Sequence, residues 1–133
     1  MERRLRLLLD THALLWWLIG DGALPAAART AIAEEANGVW VSAASAMEVT
    51  TKFRTGKLPG AALLAQDFEA VVAAQDFAEL SISVRHARLA GSLQIAHKDP
   101  FDRFLIAQSL ADELVLVSNE RVFDGFGVTR LWD

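Results

Sequence analysis

The sequence contains no cysteine among its 133 residues. This absence excludes disulfide bonds, zinc sites built on thiolates and thiol nucleophiles. The longest apolar runs fall well short of the roughly 18 to 20 residues that a membrane-spanning helix needs. Near the N-terminus, the three leucines at 7–9 are too few for the apolar region of a signal peptide. We therefore expect a cytoplasmic protein without a membrane segment.

Phosphate-binding loops rich in glycine are also missing. Neither G-x-G-x-x-G nor G-x-x-x-x-G-K follows the first apolar segment, which argues against a nucleotide-binding module. That segment ends in Asp10-Thr11-His12, without the D-x-D pair frequent in enzymes that form an aspartyl phosphate. The net charge of −4 argues against broad coating of nucleic acid. A nuclease remains compatible with this charge, because active-site carboxylates contribute to it and metal ions offset them locally.

The length, with 53% hydrophobic and 23% charged residues, indicates one globular domain over residues 1–133. Periodicity predicts strands over 6–9, 39–41, 80–82, 114–117 and 127–131. It predicts helices over 11–19, 26–36, 42–54, 61–74, 84–93 and 101–113. Strands that are apolar at every position are typical of sheets buried on both faces. The alternation predicts an α/β fold, a three-layer α/β/α domain with a mostly parallel central sheet.

Acidic residues recur just past the predicted strands. Asp10 directly follows the first strand, Glu48 lies in the helix after the second, Asp102 begins its own helix, and Glu120 follows strand 114–117. Because ligands of such sheets bind outside the carboxyl ends of the strands, we expect these acids to converge. Carboxylates without thiolates or well-spaced histidines suit Mg²⁺ or Mn²⁺. Without a cation, such carboxylates would raise one another's pKa or cost stability.

Each acid also has a purely structural interpretation. Asp10 fits an N-cap of the helix that follows it. Ser45 and Glu48 fit the S-x-x-E capping box, and Glu48 is spaced to pair with Lys52 one turn later. Glu120 lies in an ordinary polar turn. If the acids serve only as helix caps, the chain is a non-catalytic binding or interaction protein.

The segment HKDPFDRFLIAQS, residues 97–109, places two acids at the start of an apolar helix. Pro100 suits the first helical position, so we expect Asp99 to be the N-cap. Asp102 then lies at the third helical position, near unpaired backbone N–H groups. It could simply favour the helix dipole there, or pair with Lys98 or Arg103. Its shared sheet edge with the other acids favours a metal-binding role.

Four segments in this order, LLLDTHALLWWL, VSAASAMEVTTKFRTGKL, HKDPFDRFLIAQSLADELVLVSNERVF and GVTRLWD, resemble the PIN-domain ribonucleases. The resemblance is greatest to the VapC-type toxins of bacterial toxin–antitoxin pairs, and it runs from about residue 7 to the C-terminus. It implies a PIN-like fold, a Mg²⁺- or Mn²⁺-dependent endoribonuclease, a cognate antitoxin and a homodimer.

The resemblance also implies the residues of the site. Asp10, Glu48 and Asp102 match the first three acids of the family, so they are implied as catalytic residues and metal ligands. Glu120 matches a fourth position at which most members have Asp, and its longer side chain suits binding through water. Ser45 and Ser118 are implied as caps or supports of these ligands, and Asp99 is implied as a cap, a support or a further ligand.

Basic and apolar residues suggest where RNA and a partner protein would bind. Lys52 and Arg103, with Arg54 and Lys57, are placed to meet phosphates of RNA, although a solvated helix end accounts equally well for those on the third helix. An antitoxin segment could dock on apolar residues expected to be exposed in the first two helices, namely Trp16, Trp17, Leu18, Ile19 and Leu24.

Overall fold

The computed structural model describes residues 4–133, so the first three residues of the predicted domain lie outside it. Its single sheet has the order β3-β2-β1-β4-β5, and every neighbouring pair is parallel. The strands are β1 Arg6–Leu9, β2 Gly38–Ser42, β3 Ala78–Leu80, β4 Val115–Val117 and β5 Arg130–Leu131. Leu9 is in register with Val41 on one side and Val117 on the other. The carboxyl ends of the three central strands therefore lie at one level.

Helices cover both faces of this sheet. They are α1 Thr11–Ile19, α2 Ala26–Ala33, α3 Ala43–Arg54, α4 Ala62–Gln66, α5 Phe68–Ala74, α6 Val84–Ser92 and α7 Pro100–Ala111, with 3-10 turns at Pro59–Ala61 and Arg121–Phe126. Because side chains alternate along a strand, Leu7 and Leu9 pack with α1–α5, and Leu8 packs with α7, against which α6 lies. The predicted three-layer α/β/α fold is confirmed. None of the helices in residues 4–133 is long and apolar enough to span a membrane.

Three predicted elements differ from the structure. The helix predicted over 61–74 is broken at Asp67, whose φ of −146° and ψ of 58° are not helical. The third strand lies at Ala78–Leu80, not at 80–82, since Ala78 pairs with Trp40. The last strand is only Arg130–Leu131, because Gly127, at φ +79°, ends a 3-10 turn where the strand was expected to begin. The other predicted ends differ by at most three residues.

The amino edge of the sheet is closed by side chains that bind backbone groups. The Asn37 Oδ1 accepts a hydrogen bond from the Leu5 N–H at 2.8 Å, and its Nδ2 donates to the Ala31 carbonyl at 2.9 Å. The Arg6 guanidinium donates to the carbonyl of Asp112 at 2.8 Å. These contacts join the start of β1 to the ends of α2 and α7.

The predicted apolar groove of the first two helices is only partly present. Leu24 is 2% exposed and belongs to the core, so its predicted exposure is wrong, whereas Ile19 is 64% exposed. Trp17 packs on Phe77 and donates to the Gln75 side chain at 2.9 Å. Both neighbouring tryptophans are half-buried, so the pair forms no continuous exposed apolar stripe with Leu24.

Candidate acidic site at the carboxyl edge of the sheet

Asp10 lies at the end of β1, where its main-chain N–H donates to the Val117 carbonyl of β4 at 3.1 Å. Its carboxylate is the N-cap of α1, with Oδ1 accepting from the Ala13 N–H at 2.8 Å. The residue is 5% exposed, and no basic side chain within residues 4–133 forms an ion pair with it. Burial raises the pKa of Asp10 to about 6, although hydrogen bonds from Ser118 and Ala13 oppose this. The charge of His12 also lowers the pKa of Asp10, but within residues 4–133 no ion pair compensates its ionised form.

Glu48 reaches the same edge from α3. That helix begins after Ser42, whose hydroxyl caps it, so Ser45 lies inside the helix and the capping box proposed for Ser45 and Glu48 is wrong. The Oε1 of Glu48 accepts from the Thr11 hydroxyl at 2.5 Å, and that hydroxyl lies 3.3 Å from the Ser45 hydroxyl. Since Thr11 follows Asp10 directly, this bond connects the carboxyl end of β1 with α3.

Lys52 lies one turn after Glu48, and their predicted pairing is present. Its Nζ is 2.6 Å from Oε2 of Glu48. The hydrogen bond to Glu48 raises the pKa of Lys52, and the negative charges of Glu48, Asp99 and Asp102 raise it further against partial burial. The ammonium group is therefore paired with Glu48 and attracted by the charges of Asp99 and Asp102.

The start of α7 gives its two acids different surroundings. Asp99 is the N-cap, and its Oδ1 accepts from the first two free backbone N–H groups of the helix at 2.9 and 3.1 Å. The Oδ2 of Asp102 instead lies 2.7 Å from the His97 Nε2. Burial raises the pKa of Asp102, as do the charges of Asp99 and Glu48, while the bond to His97 lowers it. The Asp102 side chain therefore faces the acidic edge and not its own helix end.

Arg103 points away from the acids, into the loop between α6 and α7. Its guanidinium donates to the carbonyl of Ala90 at 2.9 Å, of Leu93 at 2.8 Å and of His97 at 2.9 Å. Longer bonds of 3.4 Å reach two further carbonyls, those of Gly91 and Ile95. These contacts fix the loop that carries His97. We therefore do not retain Arg103 among the residues placed to contact RNA.

Ser118 and Glu120 follow β4 on the other side of Asp10. Ser118 is buried, and its hydroxyl accepts from the Glu120 N–H at 3.0 Å. Its carbonyl accepts from Arg130 at 2.9 Å, and the same guanidinium forms a double contact with Asp124 at 2.7 and 3.0 Å. The Glu120 side chain is exposed, and its charge contributes to the raised pKa of Asp10. Ser118 is thus held by backbone and side-chain contacts, whereas the Glu120 side chain is exposed.

The acids of this edge influence one another's ionisation. The charge of Glu120 raises the pKa of Asp10, and those of Asp99 and Glu48 raise the pKa of Asp102. Within residues 4–133, no three His, Asp or Glu side chains lie close enough together to hold one metal ion by themselves. Mg²⁺ commonly takes only one or two carboxylates and keeps several waters. The absence of an all-protein cage in this part of the chain is therefore compatible with a partly hydrated hard cation, and the metal stays a prediction.

Sequence reasoning missed three residues that organise this edge. Thr11 had a local signal, since it adjoins Asp10 at a strand end. His97 adjoins the DPFD segment but lies in a loop, where no periodicity predicts the direction of a side chain. Arg130 contacts a carbonyl 12 residues away, so nothing near it in the sequence indicated the contact.

Fold and site together define a class: a parallel α/β/α domain with carboxylates gathered at the carboxyl edge of its sheet. The family model of the PIN domain matches residues 7–128, nearly the whole chain. The chain therefore belongs to the PIN domain family. A comparison with curated proteins found no significant match.

Several solved structures have a similar fold. VapBC2 from Rickettsia felis, bound to a DNA fragment from its promoter, matches with a TM-score of 0.70 at 14% identity, covering 97% of this chain and 100% of that one. DNA-bound VapBC from Salmonella typhimurium matches with a TM-score of 0.68 at 14% identity, covering 96% and 97%. A toxin–antitoxin complex from Klebsiella pneumoniae matches with a TM-score of 0.60 at 21% identity, covering 93% and 94%. At these identities the likeness concerns the fold.

Proposed function

We propose that the chain is a metal-dependent endoribonuclease that acts in the cytoplasm as the toxin of a type II toxin–antitoxin pair. The observation that carries this proposal is Asp10, a buried carboxylate that forms no ion pair among the described residues, at the sheet edge where ligands of such folds bind. A buried charge needs compensation, and a divalent cation would supply it.

The alternative, a non-catalytic interaction protein whose acids are only caps, accounts for two of the residues. Asp10 and Asp99 are indeed N-caps. Capping does not account for Glu48, which lies inside α3, nor for the Asp102 carboxylate, which binds His97. Because two buried or half-buried acids face the edge without a capping role, the geometry favours the nuclease.

In this proposal, Mg²⁺ or Mn²⁺ would be held by Asp10, with Asp102, Glu48 and Glu120 as further ligands, directly or through water. When bound, such an ion lowers the pKa of a water molecule and stabilises charge on phosphorane oxygens. The chain keeps the donors oriented: the Ala13 N–H holds Asp10, Thr11 holds Glu48, and His97 holds Asp102. Lys52, with its side chain one-third exposed, is the basic group at this edge that would face a phosphate of RNA.

The proposed partners are a cognate antitoxin and a second copy of the chain. VapBC and other toxin–antitoxin complexes are among the structures of similar fold, which supports an antitoxin for this chain. A short reading frame next to the gene, encoding a DNA-binding protein that co-purifies with the chain, is the expected finding. Sedimentation should give a dimer at micromolar concentration, and a monomer would contradict that part of the proposal.

The decisive experiment compares two Asp–His pairs of α7. Asp102 pairs with His97 at the start of the helix, and Asp112 pairs with His86 at 3.0 Å beyond its end, with side chains 24% and 28% exposed. Labelled single-stranded and hairpin RNAs are incubated with the purified chain in Mn²⁺, Mg²⁺ or EDTA. We expect metal-dependent cleavage that Asp102→Asn abolishes and Asp112→Asn retains. Cleavage in EDTA, or full activity of Asp102→Asn, would refute the proposed function.

A further inference from the structure

Arg103 holds the carbonyl groups at the end of α6 and in the loop that follows it. Within residues 4–133, the backbone groups at 94–98 form no hydrogen bond with other main-chain groups. Backbone groups that lack such partners need side chains or water instead. The guanidinium of Arg103 supplies donors here, and its acceptors are the carbonyls of Ala90, Gly91, Leu93, Ile95 and His97.

These bonds use the whole donor capacity of the Arg103 side chain. A guanidinium has five N–H groups in a fixed fork and accepts no hydrogen bond. Its Nε donates to one carbonyl, and Nη1 and Nη2 donate to two carbonyls each. Since no N–H group is left for a phosphate of RNA, Arg103 acts on the conformation of the loop.

His97 connects this loop to the acidic edge. Its carbonyl accepts from Nη1 of Arg103 at 2.9 Å, and its ring Nε2 lies 2.7 Å from Oδ2 of Asp102. The His97 ring also packs near that of Phe126, with the ring centroids 6.3 Å apart. Asp102 and Arg103 are consecutive residues of α7, so their side chains leave the helix roughly 100° apart. One turn of α7 therefore carries both a candidate ligand and the side chain that fixes the partner of that ligand.

We propose that Arg103 is a positioning residue of the candidate site, which holds the loop so that His97 stays against Asp102. This inference rests on the proposed nuclease function and deepens it, because Asp102 is one of the proposed ligands. Without the guanidinium, the five carbonyls lose their donor and the loop can move, so the Asp102 carboxylate takes other orientations. Arg103 thus affects the rate of cleavage and not the binding of RNA.

Arg29 of α2 is a matched comparison for Arg103. It is half-buried as well, and its Nη2 donates to the carbonyls of Asp21 and Leu24 at 3.0 and 3.3 Å, in the loop between α1 and α2. That loop also has main-chain hydrogen bonds, from the Asp21 N–H to the Trp16 carbonyl at 3.0 Å and from the Leu24 N–H to the Asp21 carbonyl at 3.2 Å. Loss of this arginine should therefore leave the proposed ligands in place.

The kinetics of RNA cleavage at saturating Mn²⁺ test the proposal. Arg103→Met removes the five donors and keeps a long side chain, and it should lower kcat roughly tenfold while KM stays the same. His97→Ala should cause a similar loss, and the double variant should be no slower than either, because both substitutions interrupt the same contact. Independent effects would instead multiply to roughly a hundredfold. The control Arg29→Met should leave kcat and KM unaltered.

A second measurement needs neither RNA nor metal. In EDTA, nuclear magnetic resonance of the unaltered chain should show an Overhauser contact between the rings of His97 and Phe126. This contact should be lost in Arg103→Met, because the loop no longer holds the His97 ring, and kept in Arg29→Met. Circular dichroism verifies that the variants are folded. Should Arg103→Met not fold, Arg103→Lys replaces it with the same expected directions, since it keeps the charge but donates from a single nitrogen.

The outcomes separate this inference from the proposed function. A contact between His97 and Phe126 that persists in folded Arg103→Met would overturn the inference and leave the proposed nuclease standing. The same holds if the effects multiply in the double variant, or if KM rises with kcat unchanged, which would show that Arg103 binds RNA. If the unaltered chain cleaves no RNA with either metal, the proposed function fails and the inference fails with it.

Discussion

At the amino edge of the sheet, polar side chains are matched by backbone groups, whereas at the carboxyl edge carboxylates face carboxylates. Asn37 satisfies an N–H and a carbonyl, and Arg6 satisfies a carbonyl. At the opposite edge, burial and like charges raise the pKa values of Asp10 and Asp102. The amino edge is thus arranged for stability, and the carboxyl edge accepts an unfavourable arrangement that a bound cation would relieve.

Replacing Asp10 by Asn should have the largest effect on cleavage. It should also separate activity from stability, because the two should change in opposite directions. Cleavage should fall roughly 1000-fold or more, because the amide cannot hold the cation that stabilises charge in the transition state. The metal-free variant should be more stable than the unaltered chain at pH 7.5, by up to about 3 kcal/mol, since the buried group no longer ionises. RNA cleavage and urea denaturation in EDTA measure the two quantities.

The amide of Asn retains an oxygen that can cap α1, so loss of the cap does not obscure the comparison. Asp10→Ala is the matched variant that removes the cap as well, and it should lose part of the gain in stability. A metal-free Asp10→Asn chain that is less stable than the unaltered chain would show that the carboxyl edge carries no electrostatic cost.

The stabilisation of the chain by Mn²⁺ should depend on pH. The folded-state pKa of Asp10, about 6, lies above its ordinary value of 3.8, and that of Asp102 is shifted in the same direction. The contribution of these carboxyls to the stability of the metal-free chain is therefore full below about pH 4 and is lost as the pH rises through 6. Mn²⁺ favours the ionised carboxylates, so it should raise the melting temperature by several degrees more at pH 7.5 than at pH 5. Circular dichroism melts with and without Mn²⁺ measure this difference.

Asp10→Asn is the control for this titration, and its response to Mn²⁺ should be small at both pH values. An equal rise in melting temperature at pH 5 and pH 7.5 for the unaltered chain would contradict the assignment of the buried carboxylates as the cation's ligands.

The amino edge should respond in the opposite way. Asn37→Ala removes two hydrogen bonds and leaves the Leu5 N–H and Ala31 carbonyl without their partner, which should destabilise the chain by about 1–3 kcal/mol. Cleavage per folded molecule should be unchanged, since the substitution lies at the far end of the strands. Asn119→Ala, at an exposed position, is the control and should change the stability by less than about 0.5 kcal/mol. A large loss of activity in folded Asn37→Ala would contradict the view that the amino edge serves stability alone.

The sequence predicts the fold well because its strongest patterns are local. The strand 6–9 and the helix 11–19 have the predicted bounds, since an apolar run ends at a capping Asp and a helical pattern ends at Gly20, whose φ is +69°. The short outer strands were placed less well. Ala78–Leu80 is defined by pairing with β2, and such pairing between distant segments leaves no periodic signal in three residues.

The sequence predicted which acids lie at the site. It predicted less well the directions of the side chains around them. Acids that follow strand ends must meet at one edge of a parallel sheet, which the register of Leu9 with Val41 and Val117 explains. The directions of individual side chains depend on contacts between distant elements. Arg103 adjoins Asp102 in sequence but donates to carbonyls of the preceding loop, and the ligands assigned to the acids remain predictions.

The smallest effects we predict are those of replacing the histidine in each of the two Asp–His pairs. His97→Ala removes the partner of the Asp102 carboxylate, and because both side chains are about one-quarter exposed, the stability should change by less than about 1 kcal/mol. Cleavage should still fall roughly tenfold, since a freed ligand samples other orientations. His86→Ala should lose stability and retain cleavage, because His86 is buried, caps α6 together with Ser83 and pairs with Asp112, which is not among the proposed ligands. Equal losses of cleavage in the two folded variants would show that His97 does not orient Asp102.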